Sequence, residues 1–197
     1  MAGLVAVASD AQPTRPADAT VGDDAASDAV RAVDFTAVAQ PGSACADALS
    51  AASPRLIPVE GGASKLLDDS SFAQLEIDSE VLYADLDDDG SDEAVVRAVC
   101  TYGANGAQDT VQVWTVNGRL PMLIDTISSP PAEVADDSEL PPSVLGVEVD
   151  GGQLLITFSH YADDDPNCCP TQQTVVTYEL DAGVEVVGDP DTGPIEQ

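Results

Sequence analysis

The sequence predicts a mainly β protein, an antiparallel meander that forms a sandwich or a curled barrel-like sheet, with a short N-terminal helix. After residue 55 the chain consists largely of alternating or continuous apolar segments joined by tight turns. Parallel strands need crossover connections of about a dozen residues or more, usually helical, and the sequence offers none. It also lacks an internal repeat of about 20–50 residues, which argues against a multi-bladed propeller.

Three regions follow from composition: a signal remnant and flexible acidic, Pro- and Ala-rich spacer at 1–40, a β domain at 41–188, and a frayed polar tail at 189–197. The spacer holds few large apolar side chains, so we expect it to stay flexible apart from a short helix over Ala25–Ala37. A second helical turn is expected at Ser43–Leu49.

The first residues carry a possible export signal. Ala6-Val7-Ala8 before Ser9 has the small-x-small form of a signal-peptidase site. The segment lacks a basic region and its apolar part is short, so it is either the end of a longer signal or simply an alanine-rich start.

The first strands are predicted from short apolar runs. Leu56, Ile57 and Val59 form a strand that ends at Gly61-Gly62. Two alternating stretches then predict strand structure between Ala73 and Leu86. Glu93–Tyr102 is apolar on both faces, which is typical of a central strand.

Three hairpins follow. Asn117-Gly118 suits the two centres of a type I′ turn, because both residue types tolerate positive φ. Two further glycine-containing turns, Asp150-Gly151-Gly152 and Asp181-Ala182-Gly183, separate the other pairs of strands. Residues 128–142 hold four prolines and four acids and predict a surface loop.

The charge balance restricts the partners. The chain carries 36 acidic residues against six basic ones, a formal net charge of −30. Nucleic acids and anionic lipids would be repelled, so we expect neither as a partner, and no apolar run is long enough to span a bilayer. Cations are the expected small partners, although the same charge would also keep a secreted protein soluble or suit a salt-adapted host.

The segment Asp85–Glu93 has the most specific pattern in the chain. Acids at alternate positions precede Gly90, as in loops that wrap a hard cation with oxygen ligands. The twelfth position is Val96, where an EF-hand needs a bidentate Glu, and a strand follows the loop, so the segment is not an EF-hand. It resembles the nine-residue calcium loops of integrin-type FG-GAP repeats. That resemblance implies Ca²⁺ as a cofactor, held by Asp85, Asp87, Asp89, the Ser91 carbonyl and Glu93.

A simpler interpretation of the same loop remains open. Asp88 stands where the FG-GAP loop usually has glycine, and Asp92 adds one more charge. Aspartates also form turns through their own side chains without any metal. The loop is therefore either a calcium site or a metal-free acidic turn.

Four cysteines indicate disulfides and an oxidising compartment: Cys45, Cys100, Cys168 and Cys169. A bond between the adjacent pair would be strained, so we predict two long-range bridges. In that scheme Cys100 pairs with one of the twin cysteines and Cys45 with the other. The alternatives are a redox pair at Cys168-Cys169, which lacks the usual two-residue spacer, and a zinc site, for which the spacing is wrong.

The sequence shows no convincing set of catalytic residues. His160 is the only histidine, and its neighbour Ser159 points to the opposite strand face. Asp163–Asp165 could orient His160, but no Gly-x-Ser-x-Gly elbow is present. Trp114 and Tyr102 could line a groove, and core positions are the simpler expectation.

Two segments together carry a family resemblance: Leu82–Cys100 with its acidic loop, and Tyr161–Pro170 with its Asp-Pro-Asn-Cys-Cys-Pro run. Over about residues 75–180 the chain resembles the LppP/LprE group of actinobacterial secreted lipoproteins. The resemblance implies an exported, largely β domain, extracellular or associated with the cell envelope, with no established enzymatic activity. Anchored members carry an upstream lipobox cysteine, which this sequence does not show.

Two functions follow as expectations. The first is a non-catalytic exported domain, stabilised by calcium and disulfides, that binds an unknown envelope or extracellular partner. The second is a secreted hydrolase that uses paired carboxylates. The acids cluster in turns and not at the ends of several converging strands, which favours the first.

Overall fold

The computed structural model describes residues 29–46, 49, 56–65, 67, 72–104, 106–132, 142–162, 164–166 and 169–195. Within them the fold is mainly β and antiparallel, as predicted. Short 3-10 helices lie at Phe35–Ala37 and Gly42–Cys45. The strands are β1 (Gln40–Pro41), β2 (Leu56–Ile57), β3 (Val59–Glu60), β4 (Ala63–Ser64), β5 (Gln74–Ala84), β6 (Glu93–Tyr102), β7 (Gly106–Asn117), β8 (Leu120–Ile127), β9 (Val144–Asp150), β10 (Gln153–His160), β11 (Gln172–Leu180) and β12 (Val184–Pro194).

Among the described residues these strands form three sheets. β3 to β8 make a six-stranded sheet in chain order, which curls into a half-barrel. A four-stranded sheet has the order β12-β11-β10-β9, and β1 pairs with β2. Consecutive strands are neighbours because short turns connect them, so the chain meanders as its turn residues predict.

The six-stranded sheet is covered on both faces. On one face its side chains pack against the N-terminal segment, including Val30, Phe35 and Ile57. On the other face they pack against the four-stranded sheet, including Ile156, Phe158 and Val176. β6 contributes to both cores, which confirms its predicted central position: Ala94, Val96 and Ala98 point to one, and Val95 points to the other.

The spacer expectation is wrong for its described part, residues 29–40. Val30 and Phe35 are buried, and the Phe35 ring lies 5.9 Å from that of Trp114. Gln40 is buried as well, in β1. The segment is ordered because its few apolar side chains cover one face of the half-barrel. Of the helix expected at Ala25–Ala37, residues 29–31 and the later 3-10 turn are helical, and 25–28 lie outside the described residues.

One predicted hairpin turn lies where the sequence places it, and another is displaced by one residue. Gly151 and Gly152 both have positive φ, 58° and 81°, as a type I′ turn requires. In the other hairpin Asn117 pairs with Leu120, so the turn residues are Gly118 and Arg119 and not Asn117-Gly118. Gly118 alone has positive φ there, at 68°, which is the arrangement of a type II′ turn.

The tail expectation is also wrong as far as Pro194. β12 pairs with β11 up to the contact of Gln172 with Pro194. Its register shifts between Val187 and Asp191, and Pro190 lies within that irregularity. An edge strand tolerates proline at such a position, because no ladder hydrogen bond is needed from it.

The predicted disulfide pairing is corrected by the structure. Cys45 is bonded to Cys100, with a Cα–Cα distance of 5.2 Å, so neither joins a twin cysteine. The two meet because Cys45 lies on the segment that folds over the face of β6 to which Cys100 points. Cys169 is also disulfide-bonded; Cys168, like residues 1–28 with the possible signal, lies outside the described residues.

Candidate metal centre

The acidic loop connects β5 to β6, the central strand. Two of its residues adopt left-handed backbone conformations, Asp88 at φ 58° and Gly90 at φ 87°. Glycine has no side chain to clash there, and aspartate is among the few other residues that tolerate this region. Asp88 thus takes, at the position where the FG-GAP loop usually has glycine, a conformation that glycine favours.

The aspartate side chains of the loop accept hydrogen bonds from its own backbone. Asp85 accepts from the N–H groups of Asp89 at 3.1 Å and Gly90 at 3.0 Å. Asp87 Oδ1 also accepts from Asp89 N at 3.1 Å, and Asp89 Oδ1 accepts from Ser91 N at 2.7 Å. These bonds are of the kind that fold short acidic turns, and they hold the carboxylates in place.

Three carboxylates converge in this loop. One oxygen from each of Asp85, Asp87 and Asp89 lies within 4.8 Å of the others. Asp85 is half-buried, and the other two are exposed. Three negative charges at this separation repel one another, and a divalent cation between them would convert repulsion into attraction.

Glu93, the predicted ligand at the ninth position, lies apart from this convergent group. Its side chain is buried, and Oε2 accepts a hydrogen bond from Leu86 N at 3.0 Å. Burial raises the pKa of Glu93 to about 7, the Leu86 hydrogen bond lowers it, and the charges of the three aspartates raise it further. The structure thus places Glu93 under the loop, where it feels the aspartate charges.

The four-stranded sheet contacts the loop through the turn between β9 and β10. A Cβ atom added at Gly152 would lie 3.3 Å from the carbonyl oxygen of Asp85. Beside this contact is a cavity of about 220 Å³ lined by Asp87, Asp88, the β9–β10 turn and Glu179. The close approach depends on glycine at position 152, which the sequence marks only as a turn residue.

The N-terminal segment holds the other side of the loop. Arg31 bonds to Asp92 through Nε and Nη2, and its guanidinium lies 4.7 Å from the centre of the Tyr83 ring. Sequence reasoning missed Arg31, since no local pattern connects it to a loop 61 residues later.

The other residues considered for catalysis have structural partners. His160 Nδ1 lies 3.3 Å from Thr174 Oγ1, and Ser159 Oγ accepts a hydrogen bond from Ser143 N. Asp165 accepts from Ala162 N and Thr171 N, and these bonds, with the Thr171 hydroxyl and nearby His160, hold its pKa below the usual value. Asp163 lies outside the described residues. Trp114 is buried in the core, with its Nε1 bonded to Gln112.

Comparison with family models, curated proteins and solved structures yields no match to this chain. In the part of the chain that the structure describes, no helix is long and apolar enough to cross a membrane. The interpretation of the acidic loop therefore depends on its own geometry.

Proposed function

We propose that this protein is an exported, non-catalytic β domain that binds an envelope or extracellular partner and is stabilised by Ca²⁺ at the acidic loop. The observation that carries the proposal is the convergence of the Asp85, Asp87 and Asp89 carboxylates on one point. Calcium suits this loop because it accepts six to eight oxygen ligands in flexible geometry. Ser91 is proposed to add its carbonyl to the ligand set, whereas Glu93, which is buried and bonded to Leu86 N, lies outside the convergent group.

The position of the loop supports a structural role for the ion. The loop leads directly into β6, and the Cys45–Cys100 disulfide joins the other end of that strand to the N-terminal segment. An ion at one end and a covalent bond at the other would hold the same buried strand. Loss of the ion would leave the aspartates repelling one another beside Glu93, which destabilises the entry into β6.

Glu93 is the residue that most favours the hydrolase alternative, because a carboxyl with a pKa of about 7 suits a general acid. Its environment argues against that role. The side chain is 2 % exposed and its Oε2 is bonded to the Leu86 backbone, so a substrate has little access to it. We therefore favour the non-catalytic function.

Export is supported by the disulfide. Structural disulfides persist in oxidising compartments and are rare in reducing ones. Cys45 and Cys100 are both fully buried, where they join two layers of the core. A bond in that position is suited to a stabilising role and not to a redox role, which needs access to solvent.

Two experiments test this proposal: fractionation of cells that naturally produce the protein tests export, and a calcium-binding measurement tests the loop. We expect the chain in the envelope or extracellular fraction, with Cys45 and Cys100 linked when thiols are alkylated before lysis. Recovery from the cytoplasm with both thiols free would contradict export. Calcium binding is then compared between a D87N/D89N variant and D189N/D191N in β12, which removes the same charge away from the loop. Only the first pair should abolish calcium binding.

A further inference from the structure

An irregularity in β5 opens a groove beside the central strand. The register of β5 against β6 shifts between Ile77, which faces Ala98, and Val81, which faces Val96. Residues 78–80 therefore bulge opposite the single residue Arg97. Bulges of this kind redirect side chains and are frequent next to binding sites.

A second irregularity lies in β9, the edge strand of the four-stranded sheet nearest to β5. Gly146 pairs with Thr157 and Val144 with Phe158, so Leu145 is the extra residue. Leu145 is 46 % exposed. The bulges of β5 and β9 contribute to one groove of about 240 Å³ between the two sheets.

The groove has an apolar part and an acidic part. Leu82, Val95 and Val147 line it together with Leu145. Asp78 and Glu80 line the rest. Both acids are exposed, and neither forms an ion pair with another described residue. Asp78 Oδ1 accepts from the Glu80 backbone at 3.1 Å, which orients the first carboxylate.

Arg97 also lines the groove, but its charge is already compensated. Its Nε and Nη2 donate to Asp109 Oδ1 at 3.1 and 2.8 Å. Asp109 is buried, and its Oδ2 accepts from Val144 N at 3.3 Å. The pair therefore braces β9 against β7, and Asp78 and Glu80 give the groove its uncompensated negative charge.

We propose that this groove binds an alkylammonium group, a primary amine at the end of a short unbranched carbon chain. The ammonium would contact Asp78 and Glu80, and the carbon chain would cover Leu82, Val95 and Val147. A net charge of −30 attracts cations to the protein as a whole. A free alkylamine and a lysine side chain of a protein partner both present this chemistry. The inference deepens the proposed role as a binding domain and is independent of the calcium loop.

An NMR titration of ¹⁵N-labelled protein with butylammonium chloride tests the groove, at constant ionic strength and with calcium present throughout. We expect saturable shifts in the amides of residues 78–82 and 145–147. n-Butanol and sodium butyrate are the controls, since each keeps the carbon chain and lacks the cation. Equal binding of either control, or butylammonium shifts confined to residues 85–93, would overturn the proposal.

Two double variants distinguish binding in the groove from attraction of the cation by the protein's overall negative charge. D78N/E80Q removes two exposed ionic contacts and should weaken butylammonium binding about fivefold. D189N/D191N removes the same charge from exposed positions of β12 and should change the affinity by less than about twofold, because salt screens distant charges. An equal effect of both pairs would contradict a specific site. The spectra of the free variants show whether each has kept its fold.

A final comparison identifies the source of the ammonium group. Tighter binding of Nα-acetyl-lysine N-methylamide than of butylammonium supports a lysine of a protein partner, and equal affinity supports a free amine. Calcium is titrated into the same samples. Absence of butylammonium binding in a protein that binds calcium would overturn the groove inference alone.

Discussion

Arg31 Nε donates a 2.8 Å hydrogen bond to Asp92 Oδ2 and thereby joins the segment before the first strand to the acidic loop. The same guanidinium lies over the ring of Tyr83, two residues before the loop begins at Asp85. Arg31 follows Val30, which is fully buried in the core on that face of the sheet. The loop and the N-terminal cover are thus fastened to each other as well as to the sheet.

Replacement of Arg31 with alanine should lower the free energy of unfolding by about 1 kcal/mol. The ion pair is partly exposed and contributes modestly, and the contact with Tyr83 adds a cation–π term. Urea unfolding measures the change. R31K is the matched control, since it keeps the charge without the planar fork. If R31A lowers the free energy of unfolding as much in a D92N background as in the wild type, the side chains of Arg31 and Asp92 are not coupled.

Gly152→Ala should destabilise the protein more than Gly151→Ala. Both glycines have positive φ, so each alanine incurs a backbone penalty of about 1 kcal/mol. Only at Gly152 would the new Cβ also meet the Asp85 carbonyl oxygen, whereas the space around Gly151 is open. Thermal unfolding of the two variants isolates this contact. Equal melting temperatures would show that the turn does not pack on the loop as described.

Removal of the Cys45–Cys100 bond should cost about 4 kcal/mol in the chain-entropy model, since it closes a loop with a sequence separation of 55. The variant C45S/C100S compared with wild type in urea measures the loss. Peptide mapping without reduction should recover fragments that contain Cys45 and Cys100 as one linked species. A fragment linking Cys100 to either twin cysteine would contradict the observed pairing.

In chelator-treated protein, stability should fall as pH rises from about 4.5 to about 7. Glu93 keeps its proton in the folded state up to a pKa of about 7, against the ordinary carboxyl pKa of 4.5, so folding takes up a proton within this window. Below the window both states are protonated and the effect vanishes. The full change is at most about 3 kcal/mol.

Urea unfolding at several pH values measures this dependence. E93Q should flatten it, because glutamine stays neutral throughout. Stability that rises over the same window in the wild type, or an unchanged slope in E93Q, would show that Glu93 is not the group responsible.

Much of the strand order could be predicted because its signals are local. β6 is apolar on both faces over consecutive residues, which is how a strand between two cores must appear. The turn at Gly151-Gly152 is predicted correctly because adjacent glycines accept the backbone angles of a two-residue hairpin turn. The convergent aspartates are predictable for the same reason, since Asp85, Asp87 and Asp89 fold the loop through bonds to its own backbone.

Contacts between distant segments could not be predicted. The composition of residues 29–40 is that of a spacer, and only the uncovered face of the half-barrel makes burial of Val30 and Phe35 favourable. The Cys45–Cys100 bond depends on that same docking, which spacing alone does not reveal. Likewise the burial of Glu93 beneath the loop requires the sheets to be in place.

Binding of calcium by Asp85, Asp87 and Asp89 is tested by calorimetric titration of Ca²⁺ into chelator-treated protein, followed by thermal unfolding of the same samples. We expect a saturable binding heat for one site and a higher melting temperature with calcium, since an ion bound only by the folded state stabilises that state. D89A should lose both effects, and D189A in β12 should keep both. Absence of binding heat together with an unchanged melting temperature in the wild-type protein would show that the loop is a metal-free acidic turn.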